Sequence, residues 1–430
     1  MVPADRAAGP DVAGRYARHL LATLDAPAPP LGPFRSAADA WAESGLMHLT
    51  GRADGAPLMC PAPLAACADA ALAAFRAVAG DGTLAGIDGA ALLAERAQLA
   101  GFVRAGRVSP GGACRLLLAE DGWLALSLAR PADFELLPAF GADPDWASVA
   151  RAVRQMRVAD AVARGRLLGL AIAADVPPAA RPWQRSRQIG MPAVPAERPL
   201  VVDLSALWAG PLATHLLHQA GARVIKVEST TRPDGARAGP ADFFDLLNAG
   251  KQSVALDLTQ EDGRAWLRRL LRVADIVLEA SRPRALVQMG IDARALLAER
   301  PGLTWLRLTA YGAAGPAADW IGYGDDVGVA CGLSHLLRGA VGKPVFCADA
   351  PADALTGLHV ALAGWCAWRQ GGGRLIELSL FDCLSHAIGF AAPDFSPGLP
   401  AADPGTPRRP AARAAPLGAD TASVLAEFAC

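Results

Sequence analysis

Residues 199–228 read PLVVDLSALWAGPLATHLLHQAGARVIKVE. A short β-branched run, VVDL, is followed by a Gly210–Pro211 step, an apolar-periodic segment, Gly221, and a second β-branched run. Proline in a first helical turn gives up only an amide that would be unpaired there, so Gly210–Pro211 predicts a helix start. Gly221 suits its end, because glycine accepts the left-handed conformation that closes many helices. The result is a strand, a helix and a second strand. The rhythm continues outward through RAWLRRLLRV (264–273), DIVLEA (275–280) and LTWLRLTA (303–310). Short strands alternating with helices predict an α/β fold with a Rossmann-like, doubly wound parallel sheet.

Upstream the pattern changes. ACADAALAAFRAV and DGAALLAERAQLAGFV read as helices, CRLLLAE and WLALSLA as strands, which predicts a second, smaller α+β domain over 36–185. Proline-rich stretches near residue 30, from Val176 and from Ala392 mark the joints. The expected division is a tail over 1–35, the small domain over 36–185, a linker over 186–198, the Rossmann-like domain over 199–390 and a Pro-rich C-terminal segment over 391–430. An internal repeat crosses this division. SGLMHLTGRADGAPLMCPAPLAACADAALAAF from Ser44 is echoed by CGLSHLLRGAVGKPVFCADAPADALTGLHVAL from Cys331. The register that pairs Cys60 with Cys347 also pairs Pro57 with Pro344 and sets Ala66 opposite Asp353.

Composition narrows the function classes. Lys+Arg is 41 against Asp+Glu 42, so no global basic field exists to hold nucleic acid or an anionic membrane. The 52% hydrophobic content is carried largely by alanine, and charges interrupt the apolar runs before about 18 residues accumulate. The N-terminal residues lack the apolar core and cleavage site of a secretory signal, so a soluble, cytoplasmic protein is expected. The eight cysteines form no CxxC pair and the histidines no metal signature, so no metal site is expected.

The run DLSALWAGPLATHLLHQAGARVIKVE, with NAGKQSVALDL, ADIVLEASRPRALVQMGI (274–291) and APADALTGLHVAL (350–362), resembles the family III CoA-transferases, the CaiB/BaiF family. The likeness spans about 199–390 in the family's order. It implies a Rossmann-like half, a small domain, a homodimer, and coenzyme A moved between an acyl-CoA and a small carboxylic acid. No cofactor is bound permanently; the coenzyme A thioester is substrate. Here the small-domain-like sequence precedes the Rossmann-like half, so the chain resembles a rearranged or partly duplicated member.

By the same likeness Asp353 is the nucleophile, four residues before Gly357. On residues alone Asp353 reads equally as a helix N-cap, since Pro351 precedes it and a helical segment follows, and Asp349 is its rival. For coenzyme A the resemblance points to Trp208 and Ala209, Leu256 and Asp257, Met289 and Tyr323. Ser229 stands where members often carry arginine, and Glu279-Ala280-Ser281 replaces ENF. Arg282, Arg284, Lys226 and Lys251 could supply replacement charge or be plain surface residues.

Two other readings compete with transfer. An acyl-CoA racemase or isomerase of the same family would need the family's GHD, and the corresponding stretch is IGYGDD from Ile321. A non-catalytic coenzyme A-binding protein is suggested by the altered contacts and by Ala66. A nicotinamide enzyme is disfavoured, because DLSALWAGPL contains no GxGxxG to let backbone approach a pyrophosphate.

Overall fold

The computed structural model describes residues 11–80, 84–393 and 402–429. Strands β1 (Cys114–Leu118), β2 (Trp123–Ser127) and β3 (Ala171–Ala174) form a small antiparallel sheet. Strands β4 (Gln184–Gln188), β5 (Leu200–Leu204), β6 (Arg223–Ser229), β7 (Gln252–Leu256), β8 (Ile276–Glu279), β9 (Thr304–Thr309) and β10 (Arg374–Ser379) form the large sheet. Their order is β4-β10-β9-β8-β5-β6-β7, with every pair parallel except β4 with β10. The expected doubly wound α/β sheet with a smaller α+β unit is what the chain forms.

Successive side chains of a strand point to opposite faces, and both faces here are buried. Val201, Ile276, Leu278 and Leu306 face one core; Val202, Val277 and Trp305 face the other. The helices that matter for the site are α1 (Val12–Thr23), α2 (Ala37–Glu43), α3 (Leu64–Ala79), α4 (Glu95–Ala100), α5 (Ala209–Gln219), α6 (Gly324–Ala330), α7 (Pro351–Arg369) and α8 (Thr421–Glu427). Helix α7 is buried on all sides from Ala354 to Trp368, which is why it carries no polar face.

The edges of the sheet are handled differently. Outer strand β4 is mostly exposed and carries Arg185 and Arg187, charges that discourage edge-to-edge pairing. The other edge, β7, is covered by the C-terminal segment. The Ser253 and Ala255 amides donate to the Asp420 carboxylate (2.7 Å) and the Thr421 hydroxyl (3.0 Å), and the Asp420 amide donates to the Ser253 carbonyl (2.9 Å).

The division of the chain differs from the one expected. In the supposed tail, α1 buries Tyr16, Ala17, Leu20 and Leu21 completely, and α2 and α3 belong to the same large core. Only the region around β1–β3 builds a core of its own, in which Leu124, Leu126 and Ile172 meet Phe140, Val149 and Val153. Strand β4, which straddles the expected domain end and linker, is part of the large sheet. The reason is physical: α1 buries its apolar face against α3, and α3 in turn packs on α7 of the large core. Residues 1–10 of the expected tail, 394–401 of the Pro-rich segment and Cys430 lie outside the described residues.

The internal repeat is present in three dimensions. Helix α1 packs on α3 as α5 packs on α7, and α3 lies against α7. Gly45 and Gly332, equivalent in the repeat, are both left-handed, at φ 84° and 94°. The thiols of Cys60 and Cys347 are hydrogen-bond neighbours, so equivalent positions meet. The repeat also extends further than its first reading: GRYARHLL at 14–21 matches GPLATHLL at 210–217. Between the matched blocks the second copy holds β6–β9, whereas the first holds α2 and no strand.

Candidate active site

Strand β5 is the first strand of the parallel set, and the chain runs from it outward through β6 and β7 on one side and β8, β9 and β10 on the other. The crevice at the C-terminal ends of β5 and β8 is therefore the topological switch point, where open α/β sheets place ligands. Trp208 and Ala209 follow β5 and open α5. Trp208 is buried, edge-on to Phe243 at 5.4 Å. Leu207, just before it, has φ 70°, an unusual conformation for leucine, and its amide donates to Asp234 (2.9 Å).

Helix α7 brings Asp353 to this crevice because Gly357 lets it approach. A Cβ at Gly357 would lie 2.8 Å from the Ala209 carbonyl oxygen, closer than side-chain carbons tolerate. Asp353 is half-buried in the first turn of α7. Its amide donates to the Ala350 carbonyl (3.0 Å), and the Gly324 amide at the start of α6 lies against its carboxylate. A Cβ at Gly324 would sit 2.2 Å from Asp353 Oδ2, so this position has room only for glycine.

Four carboxyl groups crowd this end of α6 and α7. Burial pushes Asp353 up to about 7; Arg96 pulls the other way, and Asp325 and Asp349 add to the rise. Asp325 is pushed up to about 6 by burial and by Asp349, and Asp326 to about 7 by burial. Asp326 accepts from the Tyr311 hydroxyl (3.0 Å) and the Tyr323 amide (2.8 Å), which commits it to holding α6. Asp349 is fully buried and takes a two-pronged ion pair from Arg96: Nε donates to Oδ2 (2.8 Å) and Nη2 to Oδ1 (2.6 Å). The rival nucleophile is thus paired, whereas Asp353 has no direct ion-pair partner among the described residues.

The segment that delivers Asp353 is strained. Ala348 and Ala350 have φ 56° and 44°, a region alanine avoids at a cost of about 1–2 kcal/mol each. Three bonds hold it: the Ala348 amide to the Thr50 hydroxyl (3.0 Å), the Ala350 amide to Asp325 (2.8 Å), and Arg96 to Asp349. Thr50 and Arg96 come from the N-terminal part of the chain. Neither was singled out from the sequence, although Thr50 lies in the repeated stretch from Ser44.

The structure gathers only some of the sequence-derived positions. Trp208, Ala209 and Asp353 meet through Gly357, and Tyr323 adjoins Gly324. Tyr323 is half-buried, with the cations Arg130 and Arg232 acting on its hydroxyl. Leu256 ends β7, Asp257 follows it and Met289 lies beyond β8, and no hydrogen bond or ion pair among the described residues joins them to Asp353. The Leu256 side chain is buried in the core on the far face, so it offers the crevice only backbone. Asp257 is near the surface and accepts from the Thr259 amide (3.0 Å); Met289 packs against the same far core.

Lys226 and Lys251 are neither surface residues nor free charge. Lys226 pairs with Asp234 at 2.9 Å, and Lys251 with Asp203 at 3.3 Å, all four side chains almost fully buried. His359 is also committed, with its Nε2 at 2.8 Å from the Tyr16 hydroxyl and its Nδ1 at 2.7 Å from the Leu355 carbonyl. Among the described residues no cluster could hold a metal ion, and no helix is long and apolar enough to cross a membrane.

The model of CoA-transferase family III matches residues 199–418. A succinate–glutarate CoA-transferase of Agrobacterium fabrum is 34% identical over 205 residues, 44% of this chain and 51% of that protein. The human succinyl-CoA:glutarate CoA-transferase is 30% identical over 207 residues, 45% of this chain and 47% of that protein. A solved CaiB/BaiF family protein from Brucella suis is 30% identical, with a TM-score of 0.37 over 44% of this chain and 54% of that one. The chain spans about half the length of the curated relatives it matches. With the family model covering more than half of its residues, the chain belongs to CoA-transferase family III.

Proposed function

We propose that the chain transfers coenzyme A between carboxylic acids through a covalent intermediate on Asp353. The observation that carries this reading is a half-buried aspartate in the first turn of a buried helix, its carboxyl against the Gly324 amide and beside the switch-point crevice. The names of the relatives support CoA transfer as such.

In this reading an acyl-CoA lies across the C-terminal ends of β5, β7 and β8, its pantetheine arm running past Trp208 and Ala209 toward Asp353. Leu256 and Asp257 border the nucleotide end through their backbone, with Met289 across the crevice and Tyr323 near the thioester. The Asp353 carboxylate attacks the thioester carbonyl, forming a mixed anhydride and releasing CoA thiolate. The thiolate attacks the aspartyl carbonyl, which frees the donor acid and leaves an aspartyl–CoA thioester. The acceptor carboxylate displaces the thiolate to form a second anhydride, whose acceptor carbonyl the thiolate then attacks. Acceptor acyl-CoA leaves and Asp353 returns as carboxylate. Burial makes the carboxylate a better nucleophile than in water, and the Gly324 amide is placed to stabilise charge beside it.

Incubating the protein with a panel of acyl-CoAs and isotopically labelled free acids tests this. Label appearing in the acyl-CoA pool is the expected result. Exchange of the α-proton with solvent and no label transfer would instead indicate a racemase.

A further inference from the structure

We infer that Arg96, supplied by the N-terminal part of the chain just beyond the repeated block, is the positioning residue that holds the Ala348–Ala350 segment and thereby fixes the carboxyl group of Asp353 in the crevice. The inference deepens the proposed function and rests on it for the word catalysis, though not for the geometry.

The first copy lacks three of the four carboxylates and keeps only Asp39, opposite Asp326. In the repeat register Ala38, Ala62 and Ala66 stand where the second copy has Asp325, Asp349 and Asp353. It also lacks the strands that build a crevice. What it retains is contact with the other copy's site through Thr50, and Arg96, which follows the repeated block, makes the most directed contact from the N-terminal part. The guanidinium grips both oxygens of Asp349, lies 5.2 Å from the centre of the Trp208 ring, and has Gly111 closing over it, where a Cβ would be 3.4 Å from Nη2. One side chain therefore ties the strained approach to α7 to the residue that opens α5. Its neighbour Glu95 anchors α4 from the other side, taking two bonds from Arg408 (2.7 and 2.8 Å). Asp349 directly follows one left-handed alanine and precedes the other, so releasing it lets both relax toward ordinary conformations.

Asp353 also reads the charge of Arg96. The charged groups acting on its carboxyl are Arg96 from α4, Asp325 from α6 and Asp349 from the preceding segment, with the Gly324 amide donating; Asp326 faces Asp325 and Tyr311. The opening residues of α5 present no charge. Arg96 alone favours the ionised form among these side chains, so its removal and the removal of Asp349 act in opposite directions.

The test is a carbon-13 NMR titration of aspartate side chains in the full chain, with the Asp353 signal assigned by its loss in Asp353→Asn, run beside pH–rate profiles of CoA transfer. In Arg96→Gln the Asp353 midpoint should rise by at least about one unit, turnover at pH 7 fall about fivefold, and turnover recover at higher pH. Arg96→Lys should restore part of the shift, and Asp349→Asn should move the midpoint down. A role in folding alone would lower activity equally at every pH and leave the midpoint in place. A folded Arg96→Gln protein with an unchanged midpoint overturns the inference. If that variant does not fold, an unchanged or raised midpoint in Asp349→Asn overturns it instead. Opposite shifts in a protein without transfer activity would sink the proposed function while leaving the positioning role intact.

Discussion

At pH 7 Asp353 is about half ionised, since burial and its acidic neighbours raise it to about 7 against the pull of Arg96. Only the carboxylate attacks, so transfer should rise with pH through about 6–8, in a pH–rate profile taken with saturating substrates. The same rise has a consequence for stability. Between its unfolded value near 4 and about 7, Asp353 binds its proton more tightly in the folded chain, so it stabilises the fold fully at low pH and less as pH climbs. Asp353→Asn escapes that loss. Its melting temperature should exceed that of the native chain by a margin that widens from pH 4 to pH 7 and then holds, while transfer is abolished. Equal melting curves at pH 8 would contradict the account of a carboxyl group kept under tension. Asp353 was singled out through the family likeness that PAD followed by TG carries, since on residues alone it reads as a helix N-cap. Arg96 was not, because its partner Asp349 lies 253 residues along the chain and no spacing rule reaches that far.

Helices α5 and α7 make the site by lying close together, and two features allow it. One is Gly357: Gly357→Val should drive carbon into the Ala209 carbonyl, cost about 1–3 kcal/mol, and lower activity more than stability, read by thermal denaturation beside the transfer assay. The other is Lys251, buried at the base of α5, which pairs with Asp203 and donates to the Pro211 carbonyl (2.9 Å) and the Thr214 hydroxyl (2.7 Å). Lys251→Met strands the Asp203 charge and should cost about 3–5 kcal/mol, most of it recovered in Lys251→Met with Asp203→Leu, by denaturant unfolding. Strands β5, β6, β8 and β9 were readable because β-branched runs between helical segments have few other uses, whereas β4, whose QRSRQ holds no β-branched residue, was not. Helix α1 was hidden. Flanking Pro and Gly made residues 1–35 look like a tail, and the match of GRYARHLL to GPLATHLL becomes evident only once both helices are seen to pack alike.

Across the whole molecule the sequence order of domains misleads, because burial ignores it. Helices α1–α3 come before the small sheet yet fill the large core, and the C-terminal segment returns past Glu95 to close the β7 edge. Two helical copies share one crevice, since only the second contains the strands that make it. Placing aspartate at Ala66 in an Asp353→Ala background should therefore restore no transfer; recovery of activity would show a second working site. The most direct measurement traps the intermediate. The protein is incubated with acyl-CoA, quenched with hydroxylamine, digested and mapped by mass spectrometry. A covalent route predicts one hydroxamate per chain, on Asp353, and none in Asp353→Asn shown by circular dichroism to be folded. A hydroxamate on Asp349, or full transfer activity in Asp353→Asn, would contradict it.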